Sequence, residues 1–264
     1  MKAFLLAAGL GTRLRPLTER IPKCLVPING KPLLQIWLEL CQNHGITEIL
    51  INTHHLPNKV EEYFKVNGYS LSVNKDVKPG DGQLTKNLLT NGRKGLKVIL
   101  SYESILLGSA GTLLSNRDFV ENEDEFFILY GDNLTDADLT NLLMFHRGHG
   151  ELFSMGLFKT DRPTTCGIAE LDGKGKIISI EEKPKNPKTN LAAAGIYVAS
   201  PEIFKCFPKF GEEMNGPLDI GFHVLPKLIG HMYGYLINEY LLDIGDMESY
   251  QKAQREWPTI LNPS

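Results

Sequence analysis

The order of predicted strands and helices constrains the fold of this chain more than any other feature. Short apolar runs typical of buried strands occur at residues 2–7, 46–52, 98–102 and 126–130. Patterns with helical spacing occur at residues 33–45, 59–66 and 139–146. Strands that alternate with helices predict right-handed crossovers and a mostly parallel sheet covered on both faces. The expected class is therefore α/β, a Rossmann-like three-layer sandwich.

The pattern changes after residue 150. Closely spaced strand candidates follow at residues 152–158, 167–171, 176–182 and 192–199. Asp172 and Gly173 supply turn chemistry between two of them, and the end of the chain, at residues 246–257, has a helical pattern. Because no Pro/Gly/Ser-rich linker separates the halves, we predict one domain over residues 1–264 with a smaller antiparallel lobe. The polar residues 74–94 show no periodicity and are predicted to be an exposed loop insertion.

The charge distribution excludes several function classes. The net charge is -3, but residues 1–31 carry six Lys or Arg against one Glu, so this stretch is +5 and the remainder is -8. A local cationic loop suits a small anionic ligand better than nucleic acid. No apolar run approaches the roughly 18 to 20 residues of a membrane span, and the apolar start is too short for a secretory signal. We expect a cytoplasmic protein with no membrane partner and four reduced cysteines.

The most informative stretch is glycine-rich and follows the first strand. Residues 6–18 are Leu-Ala-Ala-Gly-Leu-Gly-Thr-Arg-Leu-Arg-Pro-Leu-Thr, and Pro-Lys follows at residues 22–23. Such a turn exposes backbone N–H groups that can bind phosphates. A Rossmann dinucleotide site needs a small residue in place of Leu14, and a P-loop needs a Gly-Lys-Ser/Thr ending, so neither fits. The remaining interpretation is a turn that brings Arg13 and Lys23 over a phosphate chain.

This stretch resembles the signature of the sugar-1-phosphate nucleotidyltransferases, also called nucleoside-diphosphate-sugar pyrophosphorylases. Their motif is a strand followed by Leu-Ala-x-Gly-x-Gly-Thr-Arg-Leu-x-Pro-Leu-Thr and then Pro-Lys-x-Leu-x-Pro, which the chain matches from Leu6 to Pro27. The resemblance extends over nearly the whole chain and is greatest to mannose-1-phosphate guanylyltransferases. It implies a nucleotide-binding half at residues 1–150 and a sugar-phosphate-binding half at residues 151–264. We expect a catalytic domain alone, without the family's appended β-helix domain.

By this resemblance the signature loop binds the nucleotide. The residues placed around the nucleoside and phosphates are Leu6, Ala8, Gly9, Gly11 and Thr12. Arg13 is expected to hold the triphosphate, and Lys23 to contact the reacting phosphates. A guanidinium offers a fork of donors and an ammonium offers a mobile point charge, and both suit phosphate oxygens.

A second motif, at residues 103–112, resembles the family's base-recognition loop in its Leu-Gly-Thr-Ala-Gly version, with Ser109 in place of Thr. Gly108 and Glu103 are its expected nucleotide-binding residues. An ionised carboxylate only accepts hydrogen bonds, and guanine presents adjacent N–H donors. Glu103 therefore favours GTP over TTP, while some uridylyltransferases of the family also carry Glu there.

The third motif implies a metal site. Asp132 follows the apolar run at residues 126–130, and Asp243 belongs to an Asp-x-Gly motif near the end of the chain. In the family, aspartates at these positions ligate Mg²⁺, which takes hard oxygen ligands and usually one or two carboxylates. Asp136 and Asp138 form an Asp-x-Asp pair, which we interpret as the start of the helix at residue 139.

The fourth motif implies the sugar subsite. Residues 180–184 are Ile-Glu-Glu-Lys-Pro, which resembles the family's Glu-Lys-Pro element. By this resemblance Glu182 is expected to accept hydrogen bonds from sugar hydroxyls, and Lys183 to bind the sugar phosphate. By the same resemblance Gly167 is expected to let the sugar approach the backbone, although Cys166 replaces the Tyr that is usual in the family. Ala193 stands where guanylyltransferases commonly have Asn, which leaves the identity of the sugar open. The paired histidines, His54 and His55, are interpreted as structural.

The implied reaction joins a sugar 1-phosphate to an NTP, with GTP and mannose 1-phosphate favoured, and releases pyrophosphate. A phosphate monoester has a second pKa of about 6 and is largely dianionic at neutral pH, so no general base is required. The expected catalytic residues are Arg13, Lys23, Asp132 and Lys183. A UTP- or TTP-dependent enzyme, a non-catalytic sugar-nucleotide sensor and a glycosyltransferase are the alternatives. A homodimer is left open, with the 74–94 insertion as a dimer contact, a lid or a surface loop.

Overall fold

The computed structural model describes residues 1–72, 84–90, 95–208 and 216–261. The chain forms two compact units that alternate along the sequence. The first unit comprises Met1–Leu106, Tyr130–Asp136 and Tyr240–Ser264, and the second comprises Leu107–Leu129 and Ala137–Glu239.

The described strands, in chain order, are β1 (Lys2–Leu6), β2 (Pro27–Ile28), β3 (Lys31–Pro32), β4 (Glu48–Thr53), β5 (Ser70–Ser72), β6 (Leu84–Thr90), β7 (Lys97–Glu103), β8 (Phe126–Tyr130), β9 (Asn133–Thr135), β10 (Phe153–Lys159), β11 (Gly167–Leu171), β12 (Ile177–Glu182), β13 (Leu191–Ala199), β14 (Met232–Leu236) and β15 (Leu241–Asp243). The described α-helices are α1 (Leu33–Asn43), α2 (Pro57–Val66), α3 (Gly108–Ser115), α4 (Leu139–His149), α5 (Ile220–His223) and α6 (Met247–Leu261). Among the helices described, none combines the length and the apolar character needed to cross a membrane.

The first unit is built on parallel strands. β1 pairs with β4 and β4 with β7, so that Leu5 lies opposite Ile51 and Ile51 opposite Leu100. All three side chains are buried, because a parallel sheet that is covered on both faces requires continuous apolar strands. α1 buries Trp37, whose indole N–H donates to the carbonyl of Asn133 at 2.7 Å. The predicted α/β class with mostly parallel central strands is confirmed.

One expectation about this unit was wrong. Part of the predicted 74–94 loop is strand β6, which pairs antiparallel with β7 and places Leu89 in the core, 0% exposed. The segment lacks an alternating pattern, and its strand conformation follows from pairing with β7, since strand formation depends on neighbours more than on local propensity. The rest of the predicted insertion, residues 74–83 and 91–94, lies outside the described residues. Its suggested roles as a dimer contact or a lid therefore stay predictions.

The second unit contains the predicted antiparallel lobe. β13 pairs antiparallel with β8, β10 and β11, and β12 pairs antiparallel with β11. The sequence did not predict β14, which runs parallel to β10. Gly234 at its centre leaves room for Leu157 and Leu171, whose methyl groups would lie 2.5 and 2.8 Å from an added Cβ. The packing of Leu157 and Leu171 therefore requires glycine at position 234 in β14.

α4 begins where the sequence predicted. Asp138 accepts a hydrogen bond from the Asn141 N–H at 2.9 Å, which satisfies one of the free donors at the start of the helix. Gly150 ends it with a φ of 68°. Asp138 is thus a helix cap, as expected.

A buried polar group joins α4 to β10. The Ser154 hydroxyl lies 2.9 Å from His146 Nδ1 and 2.7 Å from His149 Nε2. His149 Nδ1 accepts the Glu151 N–H, so its Nε2 carries the ring proton and donates to Ser154. The Ser154 hydroxyl can then donate to His146 Nδ1. Burial, followed by the neighbouring His149 and Arg147, lowers the pKa of His146 from 6.5 to about 4.

Candidate active site

The signature loop of the first unit folds back on itself. Gly11 has a φ of 61°, and an added Cβ would lie 2.8 Å from the Thr18 methyl group. Thr18 Oγ1 donates to the Gly11 carbonyl at 2.7 Å, and His55 Nε2 donates to the Thr18 carbonyl at 2.8 Å. This geometry leaves Gly9, Thr12 and Arg13 exposed. The loop therefore presents its backbone and the Arg13 guanidinium to solvent, while the hydrogen bonds at Gly11 and Thr18 hold its conformation.

A buried amide and carboxylate support the start of this loop. Asn52, at the carboxyl end of β4, accepts the Ala7 N–H at Oδ1 (2.6 Å) and donates from Nδ2 to Glu103 Oε1 (2.9 Å). Glu103 is 0% exposed, and its carbonyl accepts a hydrogen bond from His54 Nδ1 at 2.8 Å. The structure places Glu103 in the core of the first unit, where it is bonded to Asn52.

Four charged residues from distant parts of the sequence meet in the first unit, and we call them the charge cluster: Arg13, Lys23, Asp132 and Asp243. Lys23 Nζ lies 2.8 Å from Asp132 Oδ2 and 3.8 Å from Asp243 Oδ1. An added Cβ at Gly245 would lie 3.1 Å from Arg13 Nη2 and 2.9 Å from Asp243 Oδ2, so both groups lie beside this glycine.

Backbone pairing fixes the two aspartates of the charge cluster. β15 pairs antiparallel with β9, which sets Asp243 opposite Asn133, and the Ile244 N–H donates to the Asp132 carbonyl at 2.9 Å. Partial loss of hydration beside its neighbours, and then the charge of Asp132, raises the pKa of Asp243, whereas Lys23 and Arg13 lower it. The two carboxylates therefore repel each other, and cations reduce that repulsion.

The donor set of the charge cluster fits a magnesium ion. Asp132 and Asp243 offer hard carboxylate oxygens, and 39% and 60% of their side chains are exposed. Within the described residues, no group of three or more His, Cys, Asp or Glu side chains is arranged to hold a metal ion. Mg²⁺ usually takes one or two protein carboxylates and completes its shell with water and phosphate oxygens, which agrees with this pair.

The second unit contains the glycine loop, residues 108–111, which the sequence predicted as a loop and which instead forms the first turn of α3. Gly108 has a φ of 79°, and an added Cβ would lie 2.2 Å from the Leu218 carbonyl oxygen. Leu218 donates its N–H to the Leu107 carbonyl at 2.8 Å and accepts the Ala110 N–H at 2.9 Å. The close passage of the Leu218 backbone thus requires glycine at position 108.

The expected sugar-binding residues also lie together in the second unit. Glu182 Oε2 would lie 2.7 Å from a Cβ at Gly167, and Ala193 Cβ would lie 3.9 Å from the same point. Lys183 has a φ of 50°, and its Nζ is 3.7 Å from Glu182 Oε1. Burial raises the pKa of Glu182, Lys183 lowers it, and the charge of Asp219 raises it.

The sequence analysis did not identify two polar residues that contact the predicted site residues, Asn52 and Asp219. Asn52 follows buried apolar residues at the carboxyl end of a parallel strand, where ligands of α/β sheets bind, and this position was a usable signal. Asp219 caps α5 by accepting the Phe222 N–H at 3.3 Å, but a four-residue helix leaves no periodic pattern around it. Its contacts with Ser109 depend on tertiary structure alone.

The chain belongs to the nucleotidyl transferase family, whose model matches residues 2–259. It is 33% identical to a UTP--glucose-1-phosphate uridylyltransferase of Synechocystis sp., with 97% of this chain and 63% of the relative aligned. It is 27% identical to the mannose-1-phosphate guanylyltransferase catalytic subunit beta of Dictyostelium discoideum, over 95% of this chain and 62% of the relative. The chain thus spans less than two thirds of these curated relatives.

A solved structure agrees with the fold. The protein from Bacillus anthracis that is provisionally named a glucose-1-phosphate thymidylyltransferase, in complex with sucrose, superposes with a TM-score of 0.78 at 26% identity. The match covers 96% of this chain and 94% of that one. The relatives and this structure are named for three different bases, so the family assignment does not select a nucleotide.

Proposed function

We propose that the chain transfers a nucleotidyl group from an NTP to a sugar 1-phosphate, with release of pyrophosphate. The observation that carries the proposal is the charge cluster, in which the loop cations Arg13 and Lys23 meet the carboxylates Asp132 and Asp243. A triphosphate needs cations, and a metal bound to it needs carboxylates. Both are present on one unit of a chain that belongs to the nucleotidyl transferase family.

In the proposed reaction the sugar phosphate attacks the α-phosphorus in line with the departing pyrophosphate. Arg13 is exposed and offers its guanidinium fork to the triphosphate oxygens. Lys23, only 8% exposed, keeps its ammonium between the carboxylates, where it is positioned before substrate binds. Preorganised charge of this kind stabilises developing charge without reorganisation during the reaction. Mg²⁺ held by Asp132 and Asp243 would supply further neutralisation of phosphate oxygens.

The second unit would bind and orient the nucleophile. Lys183 offers an exposed ammonium to the sugar phosphate, and Glu182 offers carboxylate oxygens to sugar hydroxyls beside Gly167. Because the phosphate is already largely dianionic above its second pKa of about 6, positioning replaces proton abstraction. The same proposal includes nucleotide contacts at Leu6, Ala8, Gly9, Gly11, Thr12 and Gly108, and a sugar contact at Ala193.

The finer assignment is GTP with mannose 1-phosphate. Its support is the Leu-Gly-Ser-Ala-Gly sequence and the guanylyltransferase relative. The Glu103 carboxylate, which is 0% exposed and bonded to Asn52, would have to become accessible before it could accept from guanine. The uridylyltransferase relative supports UTP with glucose 1-phosphate as a competing pair. A cytoplasmic location and a homodimer stay predictions.

One experiment tests the reaction and its substrates together. Purified protein with Mg²⁺ is given each NTP crossed with a panel of hexose and heptose 1-phosphates, and pyrophosphate release is measured. We expect release that requires both substrates and is fastest with GTP and mannose 1-phosphate. A sensor or a glycosyltransferase would release no pyrophosphate with any pair.

A further inference from the structure

Asp219 and Ser109 hold the glycine loop against residues 218–220. Ser109 Oγ donates to Asp219 Oδ2 at 3.0 Å and accepts the Ile220 N–H at 2.8 Å. A hydroxyl carries one hydrogen and two lone pairs, so these two bonds fix its orientation. Together with the backbone bonds to Leu218, they join the start of α3 to residues 218–220 through both side chains and main chain.

The same aspartate also faces the sugar subsite. Asp219 Oδ1 and Glu182 Oε2 lie 3.0 and 3.5 Å from one point, the position that a Cβ would take at Gly221. Glycine at position 221 lets the two carboxylates share this space. Two carboxylates that border the same point repel each other. The position of one therefore depends on the charge and the hydrogen bonds of the other.

We propose that Asp219 is a positioning residue that couples the glycine loop to the sugar subsite at Glu182. The inference rests on the proposed function, in which the loop contacts the nucleotide and Glu182 contacts the sugar. Sugar hydroxyls that donate to Glu182 weaken its repulsion of Asp219, and this strengthens the existing hold of Asp219 on Ser109 and the glycine loop. Because coupling between two binding sites is reciprocal, the nucleotide also strengthens binding of the sugar phosphate.

The test uses four variants of the full chain. Ser109→Ala removes the hydroxyl, Ser109→Thr keeps it, Asp219→Asn keeps the shape without the charge, and a double variant combines S109A with D219N. Asp138→Asn is the matched control, because Asp138 also caps a helix of this unit, α4. For each variant, kcat and the KM of both substrates are measured by pyrophosphate release.

S109A and D219N are each expected to raise the KM of both substrates about fivefold, which is the effect of losing one hydrogen bond, with kcat nearly unchanged. S109T and D138N should match the wild type. The double variant should also show a change of about fivefold, because the two residues act through one contact.

Two results overturn the coupling. One is a rise in the KM of the NTP alone in S109A, and the other is multiplication of the two effects to about 25-fold in the double variant. If the variant proteins still release pyrophosphate, either result contradicts the coupling but not the proposed function. A wild type that releases no pyrophosphate with any substrate pair overturns the proposed function and this inference together.

Discussion

The charge cluster of the first unit and the glycine contacts of the second unit are built in different ways. In the charge cluster, Lys23 is held between Asp132 and Asp243 by opposite charge. In the second unit, Gly108 and Gly167 admit a neighbouring carbonyl or carboxylate where a Cβ would collide. The first arrangement depends on which charges are present, and the second depends on the absence of side-chain atoms. Substitutions should therefore act on chemistry in one unit and on geometry in the other.

The largest expected effect is on turnover through the charge cluster. Lys23→Ala and Asp132→Asn should each lower kcat by about 100- to 1,000-fold, because each removes preorganised charge from the reacting phosphates. Lys31→Ala is the matched control in the same part of the sequence, since the Lys31 ammonium pairs with Glu39 instead. Steady-state pyrophosphate release measures all three. Turnover within twofold of the wild type in both cluster variants would remove the charge cluster from the mechanism.

The next effect tests the geometric requirement at Gly108. Gly108→Ala should destabilise the protein by about 3 kcal/mol, because a positive φ is costly for alanine and the new Cβ meets the Leu218 carbonyl. Gly173→Ala is the control, since apart from its two chain neighbours no atom of the described residues lies within 4 Å of its Cβ position. Chemical denaturation measures both. Equal stability of the two variants would show that the Leu218 backbone does not require glycine at position 108.

A pH effect of similar size is expected from the buried His146 of the second unit. The pKa of His146 falls from 6.5 to about 4 on folding, so the unfolded chain takes up the proton first. The free energy of unfolding should therefore decrease as the pH falls from 6.5 towards 4, by up to about 3 kcal/mol. Stability should be independent of this group above pH 6.5, where it is neutral in both states.

The variant His146→Gln should reduce the slope of stability against pH in that window. The exposed His231 provides a control, and His231→Gln should leave most of the slope in place. Urea unfolding at a series of pH values measures each slope. Identical slopes in the wild type and H146Q would mean that His146 does not titrate differently in the two states.

The smallest effect concerns base preference. A carboxylate can accept from both guanine N–H donors. If Glu103 binds guanine in this way, Glu103→Gln should lower kcat/KM for GTP about tenfold and change kcat/KM for UTP little. If the carboxylate serves only Asn52, the variant should change kcat/KM for all NTPs alike, since Gln can still accept the Asn52 amide hydrogen bond. Competition between GTP and UTP gives the ratio directly.

The sequence predicted most of the first unit, because its parallel strands are continuous apolar runs and its glycine-rich loop carries a long, specific pattern. It also identified all four residues that the structure brings together in the charge cluster. The elements that it missed include β6, β14 and α3, whose conformations depend on pairing with β7, on the space at Gly234 and on the backbone of Leu218. It missed Asp219 for the same reason, since that residue gains its partners only through tertiary contacts.

The configuration at phosphorus tests the central claim, direct transfer of the nucleotidyl group to the sugar phosphate, most directly. The protein would be given an NTP with one chiral sulfur substitution at the α-phosphorus, and the configuration of the sugar nucleotide would be determined. A single in-line displacement predicts inversion. Retention of configuration, or the absence of any thio-substituted sugar nucleotide, would contradict the account.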